Sequence, residues 1–332
     1  MKGRREFLKD AARSAILLGA QSGTGLARIL AQQSGDEGKS RVVVARGTGA
    51  QSDEKHVLEL LDKALMSYFG RQKPIEAWQS IGFPNIWKNR VVGVKVNGAG
   101  GKAFSTHAVL VQAICERLRQ AGVSPGNIVV WDRDAQSLEA CGLKINTDRS
   151  KVRCFGCDVA GYEKMPEWWG VARVRLSKIL TQECAIVINV PILADDENAG
   201  LSFSMKSMLG GADKPETLVG NHGNPGVADL NCIPLVRSIV CLTIGDAISS
   251  MYDGGPTFNA KHLWYPNALI VGEDRVAVDT TAWQMLDKKR VQMKLPTLAG
   301  ARREPKYIET AADAKHQLGT NDPNRIKIIE TR

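Results

Sequence analysis

From residue 41 onwards, short apolar runs alternate with amphipathic stretches. The runs RVVVARG, RVVGVKVN and NIVVWD are rich in β-branched residues and are bounded by Gly, Asn or Asp, as buried strands usually are. The stretches SDEKHVLELLDKALMSYFG and THAVLVQAICERLRQAG have apolar residues at helical spacing. Ser52 or Asp53 is the predicted cap of the first helix, and Thr106 that of the second. This alternation predicts a mostly parallel sheet with helices on both faces.

The second half keeps the alternation less strictly. CAIVINVP, SIVCLTIGD and NALIVGED are strand-like, whereas SFSMKSMLGG, DLNCIPLVRS and DRVAVDTTAWQMLDKK have helical patterns. The long segments KMPEWWG and MYDGGPTFNAKHLWYPN are rich in Gly, Pro and aromatic residues, and loops of this length usually shape a site or an interface. We therefore expect one α/β domain over residues 41–332, with an irregular, loop-rich second half.

The N-terminal segment has the three-part pattern of an export signal. Arg4 and Arg5 precede FLK and a short apolar run that is too polar for a membrane span, and residues 32–40 form a polar linker. The pattern over residues 1–31 resembles a twin-arginine signal, an address read by the export machinery and not an anchor. The alternative is an ordinary amphipathic first helix. We expect an exported, periplasmic protein, with the twin-arginine machinery as partner and no membrane span after signal removal.

Charge argues against nucleic acid as a partner. The whole chain has a formal charge of +9, but residues 1–31 contribute six basic and two acidic residues, a net +4, so the remainder carries +5. Neither a block of like charge nor a basic stripe with interleaved aromatic residues is present in the sequence.

Seven cysteines are an odd number, so at least one has no internal partner in an oxidising compartment. Cys154 and Cys157 stand together in RCFGCD. Their spacing suits a redox disulfide or half of a metal site, but equally a surface disulfide or a pair without a role. The sequence has no second such pair, so a complete iron–sulfur ligand set is absent.

Polar residues follow several predicted strands, and ligands of open parallel sheets bind beyond the carboxyl ends of the strands. Asn97 follows VVGVKV, Asp132 follows NIVVW and Asp246 follows CLTIG. Such residues also serve as helix caps. Asp132 and Asp246 are our candidates for binding a metal or moving protons, although the sequence does not identify any cofactor.

Lys95 lies inside the apolar strand VVGVKVN, where a lysine is costly unless its ammonium reaches a carboxylate, an anion or water. If the pleat directs it toward Asp132 or Asp246, this group could anchor a carboxylate or phosphate, or form an acid–base pair. The alternative is an edge strand with Lys95 in solvent.

The loop NGAGGKAFSTH has the spacing of a dinucleotide fingerprint at Gly98, Gly100 and Ala103. The predicted helix begins beyond the fingerprint, at Thr106, and the next strand-end acid is farther away than is usual. A glycine-rich turn that lines the pocket, or binds an anion through backbone N–H groups, is the stronger interpretation.

Two histidines have polar surroundings. His107 follows Thr106 at a helix start, and His222 lies in the loop GNHGNPG. Each could bind a metal or carry a proton, but no histidine spacing in the sequence indicates a specific metal.

Taken in order, these segments resemble the domain of unknown function 362 family from about Arg41 to about Lys289. The segments are VKVNGAG with STHAVLVQAICERLRQAG and NIVVWD; AIVINVPIL with AGLSFSMKSMLGG; HGNPGVADLNCIPLVRSIVCLTIGDAI; and GGP with LIVGEDRVAVD. The resemblance implies an α/β fold and a set of pocket residues. That set comprises Lys95, Asn97, Asp132, Lys206, His222, Asp246 and Asp279.

Two features depart from the family pattern. Ala194, Asp195 and Asp196 stand where relatives tend to have a Lys-Asp-His run, and Met205, Lys206 and Ser207 replace an LKN pattern. Some relatives also carry a ferredoxin-like run of cysteines, which this sequence lacks.

The sequence thus predicts an exported enzyme or redox-associated protein with a polar pocket at the strand ends. In this hypothesis, Lys95 and Lys206 neutralise a small anionic substrate or cofactor, Asp132 and Asp246 bind a metal or shuttle protons, and His222 is an acid, base or ligand. The alternatives are a non-catalytic periplasmic binding or accessory protein and a thiol redox protein that uses Cys154 and Cys157.

Overall fold

The computed structural model describes residues 38–48, 53–81 and 90–332. The predicted signal and most of the linker that follows it lie outside these residues. Ten α-helices and thirteen strands are present in the described part. None of these helices is long and apolar enough to cross a membrane.

The fold is organised around its β-strands. They are β1 (Ser40–Arg46), β2 (Val92–Val96), β3 (Ile128–Trp131), β4 (Arg153–Cys154), β5 (Glu167–Trp169), β6 (Ala172–Val174), β7 (Ile186–Val190), β8 (Ile192–Asp196), β9 (Gly200–Ser202), β10 (Val240–Met251), β11 (Leu263–Trp264), β12 (Ala268–Gly272) and β13 (Ile326–Thr331). Each strand predicted from an apolar run is present, whereas the short strands and β13 have no counterpart among the predicted elements.

The main sheet has the order β13-β1-β12-β10-β7-β2-β3-β4, with β8, β9 and β11 attached beside β10. Neighbours from β10 through β4 are parallel, and β12 alone runs antiparallel to both of its neighbours on this path. The carboxyl ends of β2, β3, β7 and of the parallel part of β10 therefore meet at one edge. The predicted α/β fold with a mostly parallel sheet is confirmed.

The helices fill both faces of this sheet. They are α1 (Glu54–Phe69), α2 (Pro74–Gln79), α3 (Ala108–Gln120), α4 (Ala135–Ala140), α5 (Cys157–Ala160), α6 (Ser204–Ser207), α7 (Gly226–Cys232), α8 (Pro234–Ile239), α9 (Arg275–Gln292) and α10 (Tyr307–Ala312). Alternation along β2 places Val92, Val94 and Val96 in the core formed with α1 and α3. A second core lies on the other face, among α6, α7 and α9.

Local signals explain where the main helices begin and end. Asp53 caps α1 through its carboxylate, and Gly70 ends this helix in the left-handed conformation at φ 61°. The prediction for α3 is wrong by one residue, because His107 and not Thr106 occupies the cap position. The hydroxyl of Thr106 instead donates to Val190 O at 2.7 Å and accepts from the N–H of Asn97, so it joins two strand ends.

Candidate functional site

Lys95 and Asp132 form a buried ion pair at the carboxyl ends of β2 and β3. Lys95 Nζ lies 2.7 Å from Asp132 Oδ1 and also donates to Val96 O at 2.6 Å, while the N–H of Gly98 donates to Asp132 Oδ2 at 2.7 Å. Lys95 is 1% exposed and Asp132 6%. Because β2 lies between β7 and β3, the alternative of an edge-strand lysine in solvent is wrong.

This pair has little room for a ligand. Ser207 Oγ lies 3.4 Å from Lys95 Nζ, and the Trp131 ring lies 5.5 Å from it. A Cβ atom at Gly210 would lie 2.9 Å from Asp132 Oδ1 and 3.0 Å from Lys95 Cε. The ammonium is therefore neutralised inside the protein by Asp132, and binding of an anion by Lys95 stays a prediction.

A second group at the same edge has different chemistry. His107 Nδ1 lies 2.8 Å from Asp246 Oδ2, and His107 Nε2 lies 3.2 Å from Ser249 Oγ. The three side chains form a hydrogen-bonded series, carboxylate to imidazole to hydroxyl, which we call the Asp–His–Ser chain. An imidazole that is oriented by a carboxylate and contacts a hydroxyl is the arrangement that activates a serine for nucleophilic attack.

The backbone fixes Asp246 firmly. Its Oδ2 also accepts from the N–H of His107 at 2.8 Å, its Oδ1 accepts from the N–H of Ile248 at 3.0 Å, and its own N–H donates to Pro191 O at 2.7 Å. Asp246 is fully buried, whereas a quarter of the His107 side chain is exposed. The carboxylate is thus held in place while the imidazole is accessible from solvent.

Electrostatics set the protonation of His107. Burial alone would lower the pKa of His107, but the negative charge of Asp246 and its hydrogen bond outweigh burial and raise this pKa above its ordinary value. The imidazolium form is therefore stabilised, as a base that must hold a proton during catalysis requires.

The glycine loop between β2 and α3 forms one side of this edge. The N–H groups of Gly98, Ala99 and Gly101 donate to Asp132, to the Asn97 side chain and to Gly98 O. A Cβ atom at Gly100 would lie 1.8 Å from Phe104 O, so the tight turn requires glycine there. With these three N–H groups engaged, the loop is better suited to shaping the site than to binding an anion.

A small apolar cluster includes Met251, near the end of β10. Phe104 belongs to a small cluster with Ile192, Ala194 and Met251, and Met251 is two residues beyond Ser249 on β10. The ring of Phe258, 37% exposed, stacks on Phe104 with centroids 6.3 Å apart. These side chains provide an apolar surface that a substrate could contact.

Lys206 and Asp279 lie around α6, apart from the hydrogen bonds of the Asp–His–Ser chain. Lys206 Nζ contacts Asp196 Oδ2 at 2.6 Å, so its charge is also paired internally. Asp279 accepts from the N–H groups of Ser204 and Met205, at 2.7 and 3.0 Å, and so holds the start of α6. Burial raises the pKa of Asp279 to about 7. Both residues have clear structural roles.

His222 lies in a tight turn and not in this group. It is exposed, its φ is 58°, and among the described residues no hydrogen bond joins it to Asp132 or Asp246. The hypothesis that His222 is the acid, base or ligand of the site therefore has no support in the geometry.

Cys154 and Cys157 do not meet the conditions for thiol redox chemistry. All seven cysteines, each within the described residues, have free thiols. Cys154 is 6% exposed and Cys157 is fully buried, and burial raises the pKa of both thiols to about 12. A reactive thiol needs exposure and a lowered pKa, so the geometry argues against the redox interpretation.

Metal binding receives no support from the side-chain positions. Within residues 38–48, 53–81 and 90–332, no group of three or more His, Cys, Asp or Glu side chains is arranged to hold a metal ion. Because all the cysteines lie in these ranges, the residues present do not fit an iron–sulfur cluster either.

Comparison with known proteins identifies the family. The family described as Domain of unknown function (DUF362) matches residues 92–284, more than half of the chain. The chain belongs to this family. The matched DUF362 segment includes Lys95, His107, Asp132, Asp246 and Ser249, and thus the whole strand-end edge.

Other comparisons add little to the DUF362 assignment. No curated protein matches the chain. A crystal structure of a protein from Thermotoga maritima, a structural genomics target, is similar with a TM-score of 0.46 and 12% identity, over 72% of this chain and 60% of that one. The match thus spans less than two thirds of the Thermotoga protein.

Part of the site can be predicted from the sequence. Asp246 is a candidate because it lies at the end of a predicted strand. His107 is a candidate proton carrier because its neighbours in the sequence are polar. Ser249 escapes prediction, because a serine within a strand gives no signal by itself. The spacing of Ser249 three residues after a strand-end aspartate becomes informative only once the imidazole of His107 is placed between them.

Proposed function

We propose that the protein is an exported enzyme that performs acyl transfer, such as ester hydrolysis, with the Asp–His–Ser chain as its catalytic group. The observation that carries this proposal is the geometry of these three side chains. Asp246 Oδ2 lies 2.8 Å from His107 Nδ1, and His107 Nε2 lies 3.2 Å from Ser249 Oγ. Such a set is recognised by geometry and roles and not by order along the sequence.

Each residue has a defined step. Ser249 Oγ attacks the substrate carbonyl while His107 Nε2 takes the hydroxyl proton, and the proton then passes to the leaving group as an acyl-serine forms. Water, deprotonated by His107, releases the acid and restores Ser249. Asp246 orients the imidazole and stabilises the imidazolium, which is consistent with the raised pKa of His107.

The surroundings favour an apolar acyl group. Phe258, which is 37% exposed and stacks on the buried Phe104, provides an apolar contact surface. The ammonium groups of Lys95 and Lys206, by contrast, are each neutralised by an internal carboxylate and offer no free charge to a substrate. The site is therefore better suited to a neutral ester or amide than to the anionic substrate predicted from the sequence.

Export through the twin-arginine route is part of this proposal. It rests on Arg4 and Arg5 before the apolar run, which lie outside the described residues. Six of the seven free thiols are buried, which protects them from oxidation in a periplasm.

Ester turnover tests the proposal. Purified protein mixed with p-nitrophenyl butyrate should release nitrophenol with an initial burst close to one equivalent, because acyl-serine accumulates. Ser249→Ala should abolish the burst. Ser250→Ala is a matched control, since the Ser250 hydroxyl is buried and has no hydrogen-bond partner among the described residues, so its removal breaks no hydrogen bond of the site. A burst that survives in Ser249→Ala would refute the proposal, as would its absence from the wild-type protein.

A further inference from the structure

A basic cavity lies apart from the Asp–His–Ser chain. Its volume is about 300 Å³, within the size range of small-ligand sites. It is formed at the ends of β1 and β13, beside β11 and the solvent-facing side of α9. The side chains that matter are Arg46, Trp264, Lys288, Lys289, Glu330 and Arg332.

The charges in this cavity are largely uncompensated. Four cationic side chains line it against a single acidic side chain, that of Glu330, which accepts from Arg46 Nε at a long 3.4 Å. Within the part of the chain that the structure describes, no carboxylate pairs with Lys288, Lys289 or Arg332. This contrasts with Lys95 and Lys206, whose ammonium groups each contact an internal carboxylate. Like charges held together without partners favour the binding of an anion.

Aromatic contacts hold one of these cations in place. Lys289 Nζ lies 5.6 Å from the centre of the Trp264 ring and 5.5 Å from that of Tyr252. These cation–π contacts restrict the side chain before a ligand arrives, which lowers the entropic cost of binding. Trp264 and Met285 also give the cavity an apolar wall.

We propose that this cavity is a binding site for a phosphorylated small molecule. The planar guanidinium groups of Arg46 and Arg332 match pairs of phosphoryl oxygens, and the two lysines add point charges. The apolar wall suits the organic part of such a ligand.

The cavity is separate from the catalytic group. Trp264 pairs with Ser250 across β10 and β11, and Ser250 directly follows Ser249. The residues that line the cavity include none of Asp246, His107 and Ser249. A ligand in the cavity would therefore not compete for Ser249.

Binding of inorganic pyrophosphate tests this inference. Titration calorimetry at low ionic strength should detect saturable binding to the wild-type protein that weakens as salt is added. The variant Lys288→Ala/Arg332→Ala should bind about tenfold or more weakly, because removing each charge-assisted hydrogen bond to the phosphate weakens binding by a factor of this order. Lys144→Ala/Lys164→Ala is the matched control, because it removes the same charge from two exposed positions outside the cavity.

Three outcomes would overturn the inference. The first is no saturable binding of pyrophosphate by the wild-type protein, and the second is equal weakening in both double variants. The third is binding only to vesicles that contain phosphatidic acid, which would identify a lipid surface as the phosphate source. Binding of free pyrophosphate that only Lys288→Ala/Arg332→Ala weakens would support a site for small phosphorylated molecules.

Discussion

Two strand-end aspartates in this protein have opposite uses. Asp132 is paired with the ammonium of Lys95 and sealed from solvent, whereas Asp246 is paired with an imidazole that is partly exposed and contacts a serine. In our proposal the first pair neutralises charge inside the fold. The second, in the same proposal, moves a proton. Position at a strand end therefore indicates a site only when the partner of the carboxylate is titratable and accessible.

The largest effect should come from Asp246. Replacing it by Asn keeps a polar side chain at the same place but removes the charge that stabilises the imidazolium of His107. We expect the rate of acyl transfer to fall by about 10⁴-fold, as in other Asp–His–Ser sets. The nitrophenol burst measured by stopped flow checks this. A burst rate within a few-fold of the wild-type value would show that Asp246 has only a structural role.

The next largest effect should be a loss of stability when the Lys95–Asp132 pair is broken. Lys95→Met leaves the carboxylate of Asp132 buried without its cation, which should lower the free energy of unfolding by about 3–5 kcal/mol. The double variant Lys95→Met/Asp132→Leu should recover part of that stability, because no uncompensated charge remains. Urea unfolding measures both changes.

One result with Lys95→Met would contradict a purely structural role for Lys95. If Lys95→Met were as stable as the wild-type protein but gave no nitrophenol burst, Lys95 would belong to the catalytic site. The distinction between a structural Lys95–Asp132 pair and a catalytic Asp246–His107 pair would then be wrong.

The smallest effect should be the pH dependence of the stability that the partly exposed Asp246–His107 pair gives to the fold. The folded pKa of His107 is raised above its unfolded value, so the pair stabilises the fold fully below the unfolded pKa, and this stabilisation is lost as pH rises through the folded pKa. The difference in unfolding free energy between the wild-type protein and Asp246→Asn should therefore shrink as pH rises from the unfolded pKa of His107 through its raised folded pKa. The burst rate should rise over the same interval as His107 loses its proton. A difference that grows with pH would contradict this assignment.

Much of the fold can be predicted because its central strands are continuous apolar runs. β2, β3, β7, β10 and β12 are buried along their whole length or nearly so, and burial on both faces selects β-branched residues. β13 escapes prediction because it lies at the sheet edge, where only Ile326 is buried and the other five residues are partly buried or exposed. β4 has only two residues, too few for any periodicity.

The site is less predictable because its function depends on pairing across the sheet. The sequence correctly indicates that Lys95 needs a partner, but it does not show that Asp132 satisfies this need completely. The Gly and Asn neighbours that make His222 a candidate in fact serve a turn where Asn221 and His222 both have positive φ. His107 and Ser249 are 142 residues apart in sequence, so only the fold brings them together.

The most direct test of the central claim is covalent labelling of Ser249. Wild-type protein, Ser249→Ala and Ser250→Ala would each be treated with a fluorophosphonate, and intact mass and peptide mapping would then locate the adduct. We predict one adduct per chain on Ser249 in the wild-type protein and in Ser250→Ala, and none in Ser249→Ala. An unlabelled wild-type protein, or an adduct located on another residue, would contradict the assignment of Asp246, His107 and Ser249 as a catalytic group.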